Sequence, residues 1–213
     1  MRATEFRHNG RMTNPWRIDS SRSAVLVIDM QRDFVEEGRP MEVPAARDAI
    51  AGIQRVSEAA RAAGAPVVYT QHVLLDDFDV SPLETAYNPK LLSVGMRAGT
   101  DGVEIIDELA PRPGEPVIPK HRYDAFHNTR LDSVLRSIRG LNGIDTVIIT
   151  GTLTEVCCES TARSAFMRDY RVAFVSDATG ALLPGAQQAT EAAIGTFFGR
   201  VLTADEVVRE LAG

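Results

Sequence analysis

The sequence predicts a three-layer α/β domain in which an open sheet of about six mainly parallel strands carries helices on both faces. Two observations predict this fold class. Short apolar runs alternate with amphipathic segments along nearly the whole chain, which is typical of parallel strands joined by right-handed helical crossovers. The first run, residues 23–30, is continuously apolar until its last residues, as expected for a strand buried on both faces.

The predicted elements follow in order along the chain. The expected strands are residues 23–30, 65–70, 115–120, 146–150, 172–175 and 201–203. The expected helices are residues 44–63, 103–109, 131–139, 154–169, 184–198 and 204–211. Residues 73–100 show little periodicity, and we expect a long loop over the active face, a length typical of a lid or binding loop. The alternative is a solvated surface excursion, which is the favoured interpretation of the acidic run of Asp76, Asp77 and Asp79.

Length and charge restrict the possible functions. The 213 residues, 44% of them hydrophobic, suit one domain at 23–213 preceded by a polar N-terminal arm at 1–22. A formal net charge of -6 without a Lys/Arg cluster predicts neither a nucleic-acid partner nor a membrane partner. The first residues contain no apolar signal region, and no run is long enough to span a bilayer, so we expect a cytoplasmic protein.

Both cysteines, Cys157 and Cys158, lie where the fourth strand breaks at Gly151 and a helix begins near Thr154. Adjacent Cα atoms are about 3.8 Å apart, short of the usual disulfide distance of about 4.4–6.8 Å, so we expect two free thiols. The backbone N–H groups and dipole at a helix start favour a thiolate, which predicts a reactive cysteine with a depressed pKa. The alternative is a buried structural cysteine.

Two further ionisable groups stand at predicted strand ends. Asp29 ends the first strand, Lys120 ends the third, and Cys157 follows the fourth. The carboxyl ends of parallel strands meet at one edge, so these three groups could form one site. There Asp29 would take the thiol proton while Cys157 attacks an amide or ureide carbonyl, and water would later resolve the thioester. The alternatives are a turn-capping acid at Asp29 and an ordinary surface ammonium at Lys120.

Three motifs carry a resemblance to a known family. They are VIDMQ at 27–31 with Phe34; Pro119-Lys120 with Tyr123, Phe126 and Asn128-Thr129; and GTLTEVCC at 151–158 with Ser160-Thr161-Ala162. With them the chain resembles the isochorismatase-like cysteine hydrolase superfamily, which includes nicotinamidases, N-carbamoylsarcosine amidohydrolases, and biuret and ureidoacrylate hydrolases. The resemblance covers nearly the whole chain from about residue 23, and the third motif is the specific one.

The resemblance implies a role for each group. Asp29 is the general base, Lys120 orients it and stabilises developing negative charge, and Cys157 is the nucleophile. A non-proline cis peptide is implied between Thr152 and Leu153, with the backbone N–H groups of Leu153 and Cys157 as the oxyanion hole. The expected substrate-binding side chains are Phe34, His72, Tyr123 and Phe126. The resemblance also implies a homodimer or homotetramer.

Neither a metal nor another cofactor is expected. Nicotinamidase-type members hold a metal with an Asp-x-His pair and further histidines after the second strand, whereas this chain has Thr70-Gln71-His72, and the next histidine is His121. We interpret His72 as a hydrogen-bonding residue of the pocket wall or as a plain loop residue. No G-x-G-x-x-G follows the first strand and no P-loop motif occurs, so a Rossmann-like sheet here need not bind a nucleotide.

The predicted function is that of a metal-independent cysteine amidohydrolase. It would cleave a C–N bond of a small amide or ureide of the carbamoyl type through a thioester, releasing ammonia or an amine. The motif context resembles the ureidoacrylate and biuret or triuret branch, but Glu155 and Cys158 depart from the ureidoacrylate pattern, which leaves the substrate open. The alternatives are a vinyl-ether-cleaving isochorismatase, whose relatives lack the cysteine, a nicotinamidase-like amidase, and a non-catalytic binding or scaffold protein.

Overall fold

The computed structural model describes residues 16–138, 140 and 143–213. Residues 1–15 of the predicted arm, and residue 139 at the end of the helix predicted at 131–139, therefore lie outside the described residues. The strands are β1 (Ser23–Ile28), β2 (Val67–His72), β3 (Val117–Lys120), β4 (Thr146–Thr152), β5 (Arg171–Gly180) and β6 (Arg200–Leu202). The α-helices are α1 (Arg32–Val35), α2 (Pro44–Ala62), α3 (Pro82–Tyr87), α4 (Leu131–Ser137), α5 (Glu159–Phe166), α6 (Ala186–Ala193) and α7 (Ala204–Leu211). In this part of the chain, no helix has the length and apolar character needed to cross a membrane.

The six described strands form one parallel sheet in the order β3-β2-β1-β4-β5-β6, which confirms the predicted α/β architecture. The chain runs outward from β1 to β3, then returns to place β4 beside β1 and continues to β6. The order therefore reverses between β1 and β4. Crossover segments leave these two strands toward opposite sides, and such a point opens a crevice at the carboxyl ends of the strands.

Alternate side chains of β1 supply two cores, which explains why this strand is apolar along nearly its whole length. Val25 and Val27 belong to the layer that contains α2 and α7, while Leu26 and Ile28 belong to the layer that contains α4 and α5. Each side chain is fully buried, and a buried aliphatic side chain of this size contributes roughly 1.5–3 kcal/mol to the stability of the fold. The sheet is thus held rigidly from both faces just below the crevice.

Gly151 is the point of closest approach between β1 and β4. Its φ is +114°, and a Cβ at this position would lie 2.0 Å from the carbonyl oxygen of Ile28. Only glycine fits at this position, which faces Ile28, the residue before Asp29. The predicted strand break at Gly151 is wrong, because β4 continues through Gly151 to Thr152.

Among the other predicted elements, two differ most clearly from the structure. The helix predicted at 103–109 is replaced by two separate 3-10 turns, Asp101–Val103 and Asp107–Leu109. The backbone between them pairs instead with the chain after β1, since the carbonyl of Glu104 accepts from the Arg32 N–H at 2.9 Å. β5 also extends well beyond the predicted 172–175, because its polar second half re-pairs with β4 after a register shift.

Residues 73–100, predicted as one long loop, contain the helix α3. Ser81 caps this helix and Pro82 occupies its first turn, which favours helix initiation without an apolar stripe. The two ends of the segment meet in a β-bridge between Leu74 and Arg97. Its large exposed apolar side chains are Leu75, Phe78, Leu83, Tyr87, Leu92 and Val94.

The described part of the expected N-terminal arm is attached to the domain. Ile18 is buried in the core layer that contains α2 and α7, and its N–H donates to the Glu210 carboxylate at 2.9 Å. Residues 16–22 therefore extend the packed body beyond the predicted boundary at residue 23.

Candidate active site

Four strand ends bring ionisable side chains together at the crevice. Across the sheet, Lys120 ends β3, His72 ends β2, Asp29 follows β1, and Cys157 lies in a π-helical turn, Thr154–Cys158, after β4. None of the four residues is more than 2% exposed. The strand-end rule used on the sequence thus places the expected residues at one edge of the sheet.

Asp29 is held in an unusual backbone conformation by its neighbour on β2. Its φ is +50°, a region that few residues other than glycine adopt and that often marks functional positions. The Thr70 hydroxyl donates to Asp29 Oδ1 at 2.6 Å and accepts from the Asp29 N–H at 3.2 Å. Thr70 was missed in the sequence analysis. Its spacing of two residues from His72 on one strand face is the signal that could have revealed it.

Lys120 forms a fully buried ion pair with Asp29. Nζ lies 2.6 Å from Asp29 Oδ2, and neither side chain is exposed to any measurable degree (0% for both). The ammonium also donates to the carbonyl of Arg122 at 3.0 Å and to Cys157 Sγ at 3.6 Å. Burial disfavours the ammonium, but the negative charge of Asp29, together with the hydrogen bonds to Asp29 and Cys157, outweighs burial and raises the pKa of Lys120. The surface-lysine alternative is therefore excluded, and Lys120 remains a cation.

Cys157 rests as a thiol rather than a thiolate. Burial raises the pKa of its thiol to about 12; Lys120 opposes this increase and Asp29 adds to it. The depressed pKa expected from the helix start is wrong, because that argument counted the helix dipole but not the loss of water around the sulfur. Since Asp29 lies within hydrogen-bonding reach of the thiol, the proton can leave during attack on a substrate.

The turn before Cys157 provides a candidate oxyanion hole. The Thr152–Leu153 peptide bond is cis, as the family resemblance implied. The Leu153 N–H donates toward Cys157 Sγ, and the Leu153 carbonyl accepts from the Cys158 N–H at 3.0 Å. A donor aimed at the sulfur also lies close to the carbonyl group that the sulfur would attack. Negative charge develops on the oxygen of that group during the attack.

The expected substrate-binding side chains separate into two groups. His72 and Tyr123 border the catalytic groups, their rings meeting edge-on with 6.4 Å between centroids, and Tyr123 is partly exposed. Phe34 is buried in the core layer that contains α2. Phe126 packs between the Tyr170 ring and the Arg168 guanidinium. These contacts show what surrounds the two phenylalanines, and their role in substrate binding stays a prediction.

Arg122 connects Lys120 to the segment at 73–100. Its carbonyl accepts from Lys120 Nζ, and its guanidinium Nη1 donates to the Asp79 carbonyl at 2.5 Å. The chain just after Arg122 is fixed to α5, because the Thr161 hydroxyl accepts from the Ala125 N–H at 3.0 Å. The segment is thus tied to the strand end that carries Lys120, as a lid over the site would be.

Asp29, His72 and Cys157 also offer a set of metal-ligand atoms. One ligand atom from each residue lies within 4.8 Å of the others, a set that would suit a soft divalent cation such as Zn²⁺. However, Lys120 already places a positive charge 2.6 Å from Asp29 Oδ2. A thiol whose pKa is raised to about 12 must also lose its proton before it binds a metal. The set therefore fits a base and nucleophile better than a metal centre.

Alkylation of Cys157 by iodoacetamide should be slow at neutral pH and should accelerate about tenfold per pH unit, because only the thiolate reacts. The reason is that a thiol with a pKa of about 12 has a vanishing thiolate fraction near pH 7. Peptide-level mass spectrometry between about pH 6 and pH 10 measures the rate, with Cys158 as the slower internal comparison. A rate for Cys157 that levels off near neutral pH would contradict this assignment.

Comparisons with known proteins agree with these observations. Residues 23–206 match the family model described as the Isochorismatase domain. The chain is 36% identical over 211 residues to the ureidoacrylate amidohydrolase RutB of Rhizobium rhizogenes (strain K84 / ATCC BAA-868), covering 90% of this chain and 84% of that protein. It is also similar to the crystal structure of a cysteine hydrolase from Pseudomonas syringae pv. phaseolicola 1448A, with a TM-score of 0.86, 35% identity, and coverage of 94% of this chain and 99% of that chain. An N-carbamoylsarcosine amidase from Thermoplasma acidophilum gives a TM-score of 0.72 at 31% identity, covering 86% of this chain and 97% of that chain.

Proposed function

Because this chain belongs to the isochorismatase family and is an amidohydrolase acting on a C–N bond other than a peptide bond, we propose that it works through a thioester on Cys157 without a metal. Its substrate is a small amide or ureide of the carbamoyl type, and the relatives named for ureidoacrylate and N-carbamoylsarcosine favour the ureide. One observation carries the proposal. The buried Lys120 ammonium contacts both the Asp29 carboxylate, at 2.6 Å, and the Cys157 sulfur, at 3.6 Å.

The first half of the reaction forms the thioester. Cys157 Sγ attacks the carbonyl carbon while Asp29 accepts the thiol proton, so no free thiolate has to accumulate. The Leu153 and Cys157 N–H groups receive the charge that develops on the carbonyl oxygen. When the tetrahedral intermediate collapses, the C–N bond breaks, and Asp29 returns the proton to the departing ammonia or amine.

The second half releases the product. Water gives a proton to Asp29 as its oxygen attacks the thioester carbon. The C–S bond then breaks, Asp29 returns that proton to the sulfur to restore the Cys157 thiol, and the acyl group leaves as the acid, which is a carbamic acid when the substrate is a ureide. Lys120 remains cationic through both halves. Its ammonium holds the Asp29 carboxylate in place and offsets negative charge near the sulfur, a task that bulk solvent performs poorly for fully buried side chains.

An ammonia-release screen tests this proposal. The panel comprises biuret, triuret, ureidoacrylate, N-carbamoyl amino acids, nicotinamide and simple aliphatic amides, with isochorismate assayed separately for vinyl ether cleavage. We expect ureides to be hydrolysed fastest. Turnover of nicotinamide alone or of isochorismate alone would instead support one of the two enzyme alternatives, and a chain that binds these compounds without turnover would be a scaffold.

Removing metal ions should leave activity unchanged. The positive charge at the site comes from Lys120, and every step above uses only side chains and backbone N–H groups. The measurement compares kcat/KM on the best ureide before and after dialysis against EDTA. A loss of activity that returns on adding Zn²⁺ would show that Asp29, His72 and Cys157 hold a required metal.

We also propose that the enzyme is a cytoplasmic homodimer or homotetramer. In support, Phe78, Tyr87 and Phe197 are at least 70% exposed, and such aromatic side chains commonly lie in interfaces between subunits. Both cysteines are free thiols, which suits a reducing compartment. Size-exclusion chromatography with light scattering measures the oligomeric state, and a monomer across the working concentration range would contradict this part of the proposal.

A further inference from the structure

His72 is a buried polar side chain that the steps above do not use. It is 2% exposed at the carboxyl end of β2. Its Nε2 is fully buried and has no hydrogen-bond partner among the described residues. Because a buried nitrogen without a partner is costly, native structures rarely keep one unless something else satisfies it. A bound substrate would provide the missing partner.

The position of His72 points it at the reacting groups. One of its ring nitrogens lies within 4.8 Å of both an Asp29 carboxylate oxygen and Cys157 Sγ. Its backbone is clamped by Gln31, whose Oε1 accepts from the His72 N–H at 2.7 Å and whose Nε2 donates to the His72 carbonyl at 3.0 Å. The Tyr123 ring lies against its edge. The imidazole is therefore held in place before any substrate arrives.

The surroundings of His72 keep its ring neutral. The charged or titratable groups that face it are Lys120, His121 and Arg122 on the β3 side, together with Asp29 and Cys157 across the crevice. Burial, followed by the charges of Lys120, His121 and Arg122, lowers the pKa of His72 well below its usual value. A neutral imidazole carries one nitrogen that accepts a hydrogen bond and one that donates.

We propose that Nε2 of His72 accepts a hydrogen bond from the substrate nitrogen that stays attached to the carbonyl carbon in the thioester, and that it thereby selects ureides over carboxamides. This inference rests on the function proposed above. The scissile carbonyl has three neighbours: its oxygen faces the Leu153 N–H, its departing nitrogen faces Asp29, and its third substituent is left for the wall formed by His72. In a ureide whose retained nitrogen carries a hydrogen, that third substituent begins with N–H, whereas in a carboxamide it begins with carbon.

A matched pair of substrates tests the assignment. One is the best ureide from the screen, and the other is the carboxamide in which its retained NH is replaced by CH₂. The wild type should prefer the ureide by about 10- to 100-fold in kcat/KM, as expected when a buried acceptor would otherwise stay unpaired. His72→Leu removes the acceptor and His72→Gln retains one, while His127→Leu alters an exposed histidine as a control.

The expected result is that His72→Leu lowers kcat/KM for the ureide by about 10- to 100-fold and changes that for the carboxamide by less than about threefold, so that the preference disappears. His72→Gln should retain part of the preference for the ureide, and His127→Leu should behave as wild type. Equal losses on both substrates in His72→Leu and His72→Gln would overturn the inference while leaving the proposed function intact. Absence of ammonia release from any ureide or amide by the wild type would instead overturn the proposed function.

Discussion

Replacing Cys157 with alanine should lower kcat for ammonia release by a factor on the order of 10⁴ or more, while thermal unfolding stays close to that of the wild type. The substitution removes the atom that forms the thioester. The Leu153 N–H is aimed at the Cys157 sulfur, so the candidate oxyanion hole suits attack by that atom. Ammonia release on the best ureide measures the loss.

Cys158→Ala is the matched control, since it removes a second sulfur from the same π-helical turn. Cys158 is fully buried in the core layer that contains α4 and α5, and its Sγ lies 3.9 Å from the carbonyl of Thr150. Cys157 Sγ instead accepts from Lys120 Nζ at 3.6 Å, so the two neighbouring thiols point to different surroundings. The control should retain most of its activity. Equal losses in the two variants would show that the nucleophile has been misassigned.

Replacing Lys120 with methionine should reduce both stability and activity. The substitution leaves the Asp29 carboxylate buried without its cation, and breaking a buried ion pair by removing one partner costs about 3–5 kcal/mol in the free energy of unfolding. Activity should fall by at least about 10²-fold, because the base loses the group that orients it and the sulfur loses its nearest positive charge. Urea denaturation and ammonia release measure the two effects.

A double variant separates these two effects. Adding Asp29→Asn to Lys120→Met replaces the buried carboxylate with a neutral amide, so most of the lost stability should return. Activity should stay absent, since the general base is then missing as well. A Lys120→Met protein as stable and as active as the wild type would contradict the role assigned to this ion pair.

The fold, and the position of Asp29, Lys120 and Cys157 at one edge of the sheet, could be predicted from the sequence. Both follow from the local pattern of apolar residues and from the rule that parallel strands end at the same edge of a sheet. Asp29, Lys120 and Cys157 each come at or just after a short apolar strand, and parallel strands send such positions to one edge. The reversal of strand order between β1 and β4 then places Asp29 and Cys157 on neighbouring strand ends. The structure supplies the distances that no pattern contains.

Other features depend on contacts between distant segments and could not be predicted from the sequence. The raised pKa of Cys157 comes first from burial by several elements, whereas the sequence showed only a helix start. The backbone at Glu104 pairs with the chain after β1 and so does not form a helix. Phe126 lies within a motif associated with the site, but Tyr170 and Arg168 from the α5–β5 region enclose it.

The thioester itself offers the most direct test of the account. The wild-type enzyme is mixed with the best ureide, quenched in acid within one turnover, digested and examined by mass spectrometry, with a parallel reaction in hydroxylamine to trap the acyl group. We expect an acyl group on the peptide that contains Cys157, located on that sulfur, and a hydroxylamine adduct of the same acyl group in the parallel reaction. Turnover that leaves Cys157 unmodified and yields no hydroxylamine adduct would contradict this expectation.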